Sequence, residues 1–542
     1  MGFSTVLLNF ALISGQVQQA ALYTGLFLET ISSGKTYKLY ETCTMDYNNQ
    51  KCMVASTSCP KNQALLIDSR CTTNITFKYN TLTMNTGSVA KDLPHVFPLY
   101  QFLFRGILGE ADNMMVLSQH ATGIFTYAAI WLFLMLVTTK AGTKIIKWTA
   151  ILANTSLLAY IFTYTMIWLF FERPFTFDIQ QLAELDTNFN KTTLTEDASW
   201  WMWFDVAIHI MTHMGLGDGG MIAIASNQSF TSSILIDAVL IGIVWGLVPY
   251  VWASCTQPLA INQIYQMVKR SQGYTHGNST FIRGYHGYIR KAAYHTNMFS
   301  LALGLMAFKN FGDGLLGIFC VAGFFLVMTN VVIRFEIILS CLSEQIVGLK
   351  KVTYACRVRA VVVLGLLTLL FTTHRHGLHL LNAFYSYSLI TVTSFIIIME
   401  VLICFIYSPR RIFADINATE IAWSWVSRSR RFHQCLEVLS LFAIASWLLV
   451  PVVLIGVVII HYAKLEEDME LQSFSHKLMG FLMSVFVLVP IFLIFFKRMY
   501  MVVKSKTKLS LEFKPNRHLW GPRRANDRAL AQHVEREYRV HF

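Results

Sequence analysis

Within Trp203–Ser226, WFDVAIHIMTHMGLGDGGMIAIAS, the polar residues His209, His213 and Asp218 stand among Gly215, Gly217, Gly219 and Gly220. The segment is long enough to cross a bilayer, yet its glycines weaken helix where hydrocarbon offers freed backbone groups no partner. A break of this kind is tolerable only against protein or water. The chemistry it permits is coordination: freed carbonyls and half-helix termini can hold ions or small solutes near the membrane midplane. A bent helix packed through its glycines is the competing reading of the same residues. His209 and His213 are four residues apart and share a helix face, a spacing that suits a metal, but no third ligand is fixed by the sequence.

Arg334, Glu336 and Glu344 fall within or beside an apolar run at 316–347. Charges at such depth are expensive and face partners or a water-filled path, so a structural Arg334–Glu336 network and a functional site compete as explanations. His374, His376 and His379 flank a short turn, where exposed histidines are the default reading. No GxSxG elbow, P-loop, HExxH or dinucleotide fingerprint stands in the required context. The chain is therefore expected not to be an enzyme and to have no catalytic residues.

The elements that must position these residues are membrane helices. Of 542 residues, 54% are hydrophobic, 14% aromatic and only 14% charged, and the mean hydropathy is +0.47. That composition excludes a soluble domain of this length. Apolar stretches of spanning length run roughly over 3–28, 120–138, 148–171, 203–226, 233–254, 316–347, 360–373, 382–407, 435–461 and 476–498. These ten predict an all-α multi-pass membrane protein, with the seventh the shortest. Met298–Phe308 is apolar but too short to span, and reads as a re-entrant or surface helix.

Short loops set the orientation. Lys140, Lys144 and Lys147, then Lys350, Lys351, Arg357 and Arg359, then Arg410, Arg411, Arg428, Arg430 and Arg431 all fall on one side if the spans alternate, and the positive-inside rule makes that side cytoplasmic. Asp178, Glu184, Asp186, Glu196, Glu466, Glu467 and Asp468 fall on the other. Both termini are then cytoplasmic. The sequons at Asn74, Asn190 and Asn278 lie outside and are expected to carry glycans on a plasma-membrane protein, whereas those at Asn154, Asn227 and Asn417 lie in a span or inside.

The apolar run after Met1 has no basic leader or small-residue cleavage site and reads as a retained span; Val6 stands where a myristoylation signal needs Ser or Thr. Net charge is +13, concentrated partly in a tail from Lys504 to Arg539. Beside the anionic inner leaflet this tail contacts membrane lipid, with no role for nucleic acid, and its default reading is a solvated positive-inside segment. Cys43, Cys52, Cys59 and Cys71 share the first outer loop and predict one or two disulfides in preference to a zinc site. Cys255, Cys320, Cys341, Cys356, Cys404 and Cys435 read as buried or cytoplasmic thiols.

In their order and spacing, several stretches resemble the sodium-coupled neurotransmitter and amino acid symporters of solute carrier family 6. GFSTVLLNFALISGQVQQAALYTGLFLE, followed by the step from Cys43 to Cys52 with Tyr47, Asn48 and Asn49, is similar to the family's third span and its disulfide-closed second outer loop. Trp203, Asp205, Gly215, Gly217 and Gly219 are similar to its unwound sixth span, Asp237 and Ala238 to a pair in the seventh, and LSCLSEQIVGL to the ion-binding stretch of the eighth. MEVLICFIYSPRRIFADI resembles the end of the tenth at Glu400, Tyr407, Arg411 and Asp415, and Trp520, Gly521 and Pro522 recur after the twelfth.

The resemblance implies a leucine-transporter-like helical bundle whose ten spans correspond to the family's third to twelfth, the first two having no counterpart. It divides the chain into a symporter-like membrane domain at 1–503, with an outer disulfide loop at 29–119 and an outer or re-entrant region at 255–315, and a basic cytoplasmic tail at 504–542. It also implies a Cys43–Cys52 disulfide. Departures from the family's pattern are concentrated in the site. His213 replaces a sodium-ligating serine, Thr212 the gating phenylalanine and Trp245 an amide ligand, while Ser343 and Glu344 stand where the family has an Asp-Ser pair, with Ser340 one turn earlier. The gating tyrosine of the third span falls near Val17, and Ala383–Ser388 lacks the acid of the outer gate.

The expected substrate-binding residues are accordingly Thr212, His213, Gly215, Gly217 and Ser343, and the expected sodium ligands Ser340, Ser343 and Glu344, at one Na+ site at most, with chloride unassigned. The expected function is sodium-coupled symport of a small amine or amino acid, in concert with a partner chain, a second copy or an amino-terminal portion. The alternative is a transport-inactive relative that keeps the fold as a membrane scaffold or regulator.

Overall fold

The computed structural model describes residues 2–33, 53–55, 65–67, 70–72, 102–107, 121–141, 144–170, 215–220, 233–244, 247, 313–372, 380–381, 383–422, 430–468, 474–505 and 525–537. Nearly all of these are helical. The exception to the all-α expectation is a small antiparallel sheet of three strands in sequence order, Met53–Ala55, Leu65–Ile67 and Arg70–Thr72, within the loop that follows the first helix.

Helix α1 (Gly2–Ser33) is the axis of the bundle. Helices α2 (Ala121–Ala141) and α3 (Ile145–Phe170) follow, then α4 (Ile234–Val244) and the long α5 (Asp313–Gln345). α5 runs antiparallel to α1: Gly2 approaches Gln345, Asn9 meets Arg334, Tyr23 lies against Gly323 and Phe27 against Gly317. α1 buries two faces. Val6, Ile13, Val17 and Ala20, at helical spacing, enter a core with Trp131 of α2, Phe335 of α5, and Val358 and Val361 of α6 (Tyr354–Thr372). Leu8 and Leu12 enter a second core with Phe384, Val392, Ile396, Val487 and Ile491.

A helix enclosed on two sides can carry polar residues that lipid would reject. Ser4, Asn9 and Ser14 of α1 are buried, and the Ser14 hydroxyl reaches the Tyr127 hydroxyl at 3.0 Å, which in turn reaches Thr368 at 3.0 Å, tying α1 to α2 and α6. The outward faces are apolar: Leu132, Phe133 and Leu136 are exposed on α2 while Trp131 and Leu134 are buried, the arrangement of a helix that faces hydrocarbon.

The carboxyl half is built from bent pairs. A π-helical turn at Phe384–Ser388 leads into α7 (Leu389–Tyr407), where the Leu389 N–H donates to the Phe384 carbonyl, and the Ser388 hydroxyl donates to the Gly480 carbonyl of α11 (Phe474–Ser505) at 2.7 Å. α7 ends where expected, at Tyr407. Ser408 adopts φ 100°, a left-handed conformation costly for a residue with a Cβ. Pro409 then opens α8 (Pro409–Ala422), where its missing N–H is not needed, and the chain turns through 92°.

The stretch at 435–461, read from hydropathy as one crossing, is two helices. α9 (Arg430–Trp447) and α10 (Val450–Asp468) meet at 42°. Pro451 has no N–H to continue the ladder back to Trp447, which accounts for the break. In the basic tail, residues 525–537 form a helix, α12 (Ala525–Glu537), that packs against α8 and buries Ala531.

Among the described residues, two helices are long and apolar enough to cross a membrane, Gly314–Gln345 and Leu478–Ser505. The number rises to four if Leu389–Phe405 with Pro409–Glu420, and Glu437–Trp447 with Val450–Ala463, are each one bent crossing. This is the architecture of a helical membrane protein. Most of 203–226, and Met298–Phe308, lie outside the described residues.

α8 also organises α4. Glu420 is fully buried; its carboxylate accepts the Ser233 hydroxyl at 2.6 Å and the Leu235 N–H at 3.1 Å, while the Ser233 hydroxyl oxygen accepts the Ile236 N–H at 3.3 Å. Ser233 thus caps α4, and a carboxylate from a distant helix supplies the negative charge that a helix start favours. Leu235, Ile416 and Ile444 pack beside this cap and join α4, α8 and α9.

Candidate functional site

Gly215–Gly219 form a turn, not a helix, and Gly215 and Gly219 adopt φ of 66° and 82°. Residues with a Cβ rarely take that conformation, so the glycine cluster is what allows the chain to fold back here. The turn is enclosed. Gly217 and Asp218 are buried, a Cβ on Gly217 would sit 2.6 Å from the Thr393 carbonyl oxygen of α7, and Gly219 lies against Thr5 of α1 and Ile337 of α5. The turn therefore meets three helices, α1, α5 and α7.

Its polar centre is Asp218. One carboxylate oxygen accepts the Gly220 N–H at 2.8 Å, which closes the turn from within. The other forms an ion pair with the Arg334 Nη1 of α5, and both side chains are largely buried, at 4% and 13% exposure. Asn9 of α1 completes the set: its amide nitrogen donates to the Asp218 carbonyl at 2.7 Å and to the Thr5 carbonyl at 2.8 Å, while its amide oxygen accepts from Arg334 Nη1 at 3.2 Å. Both amide N–H groups donate and the amide oxygen accepts, as burial requires. Glu400, two turns beyond Thr393 on α7, is within electrostatic reach of Asp218, and Tyr385 within reach of Arg334.

The sequence-expected residues separate into two places. Gly215 and Gly217 are in the buried turn. Ser340, Ser343 and Glu344 lie near the carboxyl end of α5, with Ser340 and Glu344 exposed and the Ser343 hydroxyl donating to the Ser340 carbonyl at 2.9 Å. Ten residues of helix, about 15 Å, separate Arg334 from Glu344. Thr212, His213, Cys43, Cys52, Asn74, Asn190 and Asn278, with His209, fall outside the described residues. Cys320, Cys341, Cys356, Cys404 and Cys435 are free thiols. Among the described residues no group of three or more His, Cys, Asp or Glu could hold a metal ion.

Arg334 and Glu336 do not form the neighbour network considered above. Residues two apart on a helix face different directions; Arg334 turns to Asp218, and Glu336 accepts the Tyr354 hydroxyl of α6 at 2.5 Å. Asn9, Thr5 and Glu420 are contributors that sequence reasoning passed over. A signal existed for Asn9, an amide inside an apolar run where only a partner makes it tolerable.

The arrangement fixes an irregular stretch inside the bundle by an ion pair between the turn and α5. No family model matches the chain, and no curated protein matches it.

Proposed function

We propose that the protein is a secondary transporter, a symporter of a small amine or amino acid in the plasma membrane, driven by Na+. The observation that carries this reading is the buried turn at Gly215–Gly220, an irregular stretch enclosed by α1, α5 and α7 and held by Asp218, Asn9 and Arg334. Non-helical backbone at membrane depth is tolerated against protein or beside a polar path, and carriers hold their cargo at interrupted stretches of this kind. Thr212, His213, Gly215 and Gly217 would face the substrate, and Ser340, Ser343 and Glu344, further along α5, would offer oxygen to Na+.

The test is uptake of tritiated glycine, proline, leucine and γ-aminobutyrate into cells with the protein at their surface. Saturable uptake that vanishes when choline replaces Na+, and that Glu344→Ala impairs, is the expected result. Surface protein without ion-coupled flux of any of these would overturn it in favour of a second reading, a transport-inactive scaffold or regulator. One observation favours that alternative: the polar centre is closed by the chain's own ion pair.

A further inference from the structure

We propose that Arg334 is a built-in counter-cation: its guanidinium occupies the place beside Asp218 that a bound alkali ion would take, so this centre takes up no added Na+. The inference deepens the transport reading, on which it rests, by stating where a coupling ion does not bind.

The argument begins with Asp218. A carboxylate this deep must have a positive partner or lose its charge. Two oxygens from separate elements, Asp218 Oδ2 of the turn and Asn9 Oδ1 of α1, converge on one point. Two hard oxygen donors from separate elements at one position are the start of a small cation's shell. The structure puts Arg334 Nη1 at that point.

A tethered guanidinium has advantages over a free ion. It is present at high effective concentration whatever the medium contains, and it keeps its charge at every physiological pH. It also arrives from α5, so that satisfying the turn at the same time joins α5 to α1. Glycines shape the cradle in which this happens, since a Cβ on Gly215 would lie 2.8 Å from Asp218 Oδ1. With the position filled, Na+ coupling would have to act elsewhere, and Ser340, Ser343 and Glu344 lie roughly 9–15 Å further along α5.

The experiment measures the thermal unfolding midpoint of the purified full chain in detergent, in sodium chloride and in N-methyl-D-glucamine chloride at equal ionic strength. Asp218→Asn should leave the Na+ response of the wild type unchanged. Arg334→Gln, which uncovers Asp218 and Asn9, should acquire a rise of several degrees specific to Na+, and adding Asp218→Asn should abolish it. A wild-type Na+ response that disappears in Asp218→Asn would overturn the proposal, as would an Arg334→Gln protein indifferent to Na+. Should a single variant fail to fold, the double variant Asp218→Asn with Arg334→Gln, which removes both charges, decides: the wild-type Na+ response kept supports the proposal, and lost overturns it. Unfolding does not require flux, so absence of uptake sinks the transport reading alone, and a lost response sinks this inference alone.

Discussion

Gly217 lies against the backbone of Thr393 so closely that a Cβ would sit 2.6 Å from the Thr393 carbonyl oxygen and 2.9 Å from its Cα. Backbone cannot swing aside as a side-chain tip can, so Gly217→Ala should force the turn and α7 apart, at a cost of about 1–3 kcal/mol. Gly242 is the control. It is within α4 with nothing inside 4 Å of an added Cβ, and Gly242→Ala should be neutral or stabilise by up to about 1 kcal/mol through helix propensity alone. Unfolding midpoints of the two variants in detergent decide the matter; equal effects would show that the turn is not tightly enclosed.

The Asp218–Arg334 pair makes a second prediction. Arg334→Met leaves a buried carboxylate without its partner and should destabilise by about 3–5 kcal/mol. Asp218→Asn in the same chain removes the stranded charge and should recover a large part of that loss. A double-variant cycle measured by denaturation reads the coupling, and additive losses would argue against a direct interaction.

These two cases show what sequence could and could not disclose. The break at Gly215–Gly220 was legible because four glycines and an aspartate interrupt an apolar segment, and backbone conformation is a local property. Asp218 and Arg334 were each conspicuous as charges in membrane segments, but their pairing joins positions 116 residues apart, and no periodicity within one segment reports on that. Adjacency misled instead, since Arg334 and Glu336 are near in sequence yet face different helices. Asn9 was passed over because the enclosure of α1 by two cores is a product of packing. Pro451 was visible, and its break between α9 and α10 could have been anticipated from the missing N–H.

The cap on α4 gives a third prediction. Glu420→Ala strands the Leu235 N–H and the Ser233 hydroxyl, with an expected cost of about 1–3 kcal/mol. Hydrogen exchange should accelerate at Leu235 and in the following turn of α4 while α5 keeps its protection. Unchanged exchange at Leu235 would mean that Ser233 and its neighbours hold the helix start unaided.

Orientation can be checked chemically. Cys356 is an exposed free thiol beside Arg357 and Arg359, on the side that the positive-inside rule makes cytoplasmic. In a Cys356 protein cleared of its other free thiols, a membrane-impermeant maleimide should label only permeabilised cells. Labelling of intact cells would invert the topology.

α8 bears on three parts of the molecule at once: it leaves α7 through the strained Ser408, it grips the start of α4 with Glu420, and it receives α12 from the basic tail. A crossbar fixed in this way couples the far end of the polypeptide to the helix whose Thr393 presses on the interrupted segment. Trimming the chain before Ala525 would thus strip one wall from the crossbar without touching any apolar crossing, and a tag or fusion placed there would be read by the bundle as a load and not as an idle appendage.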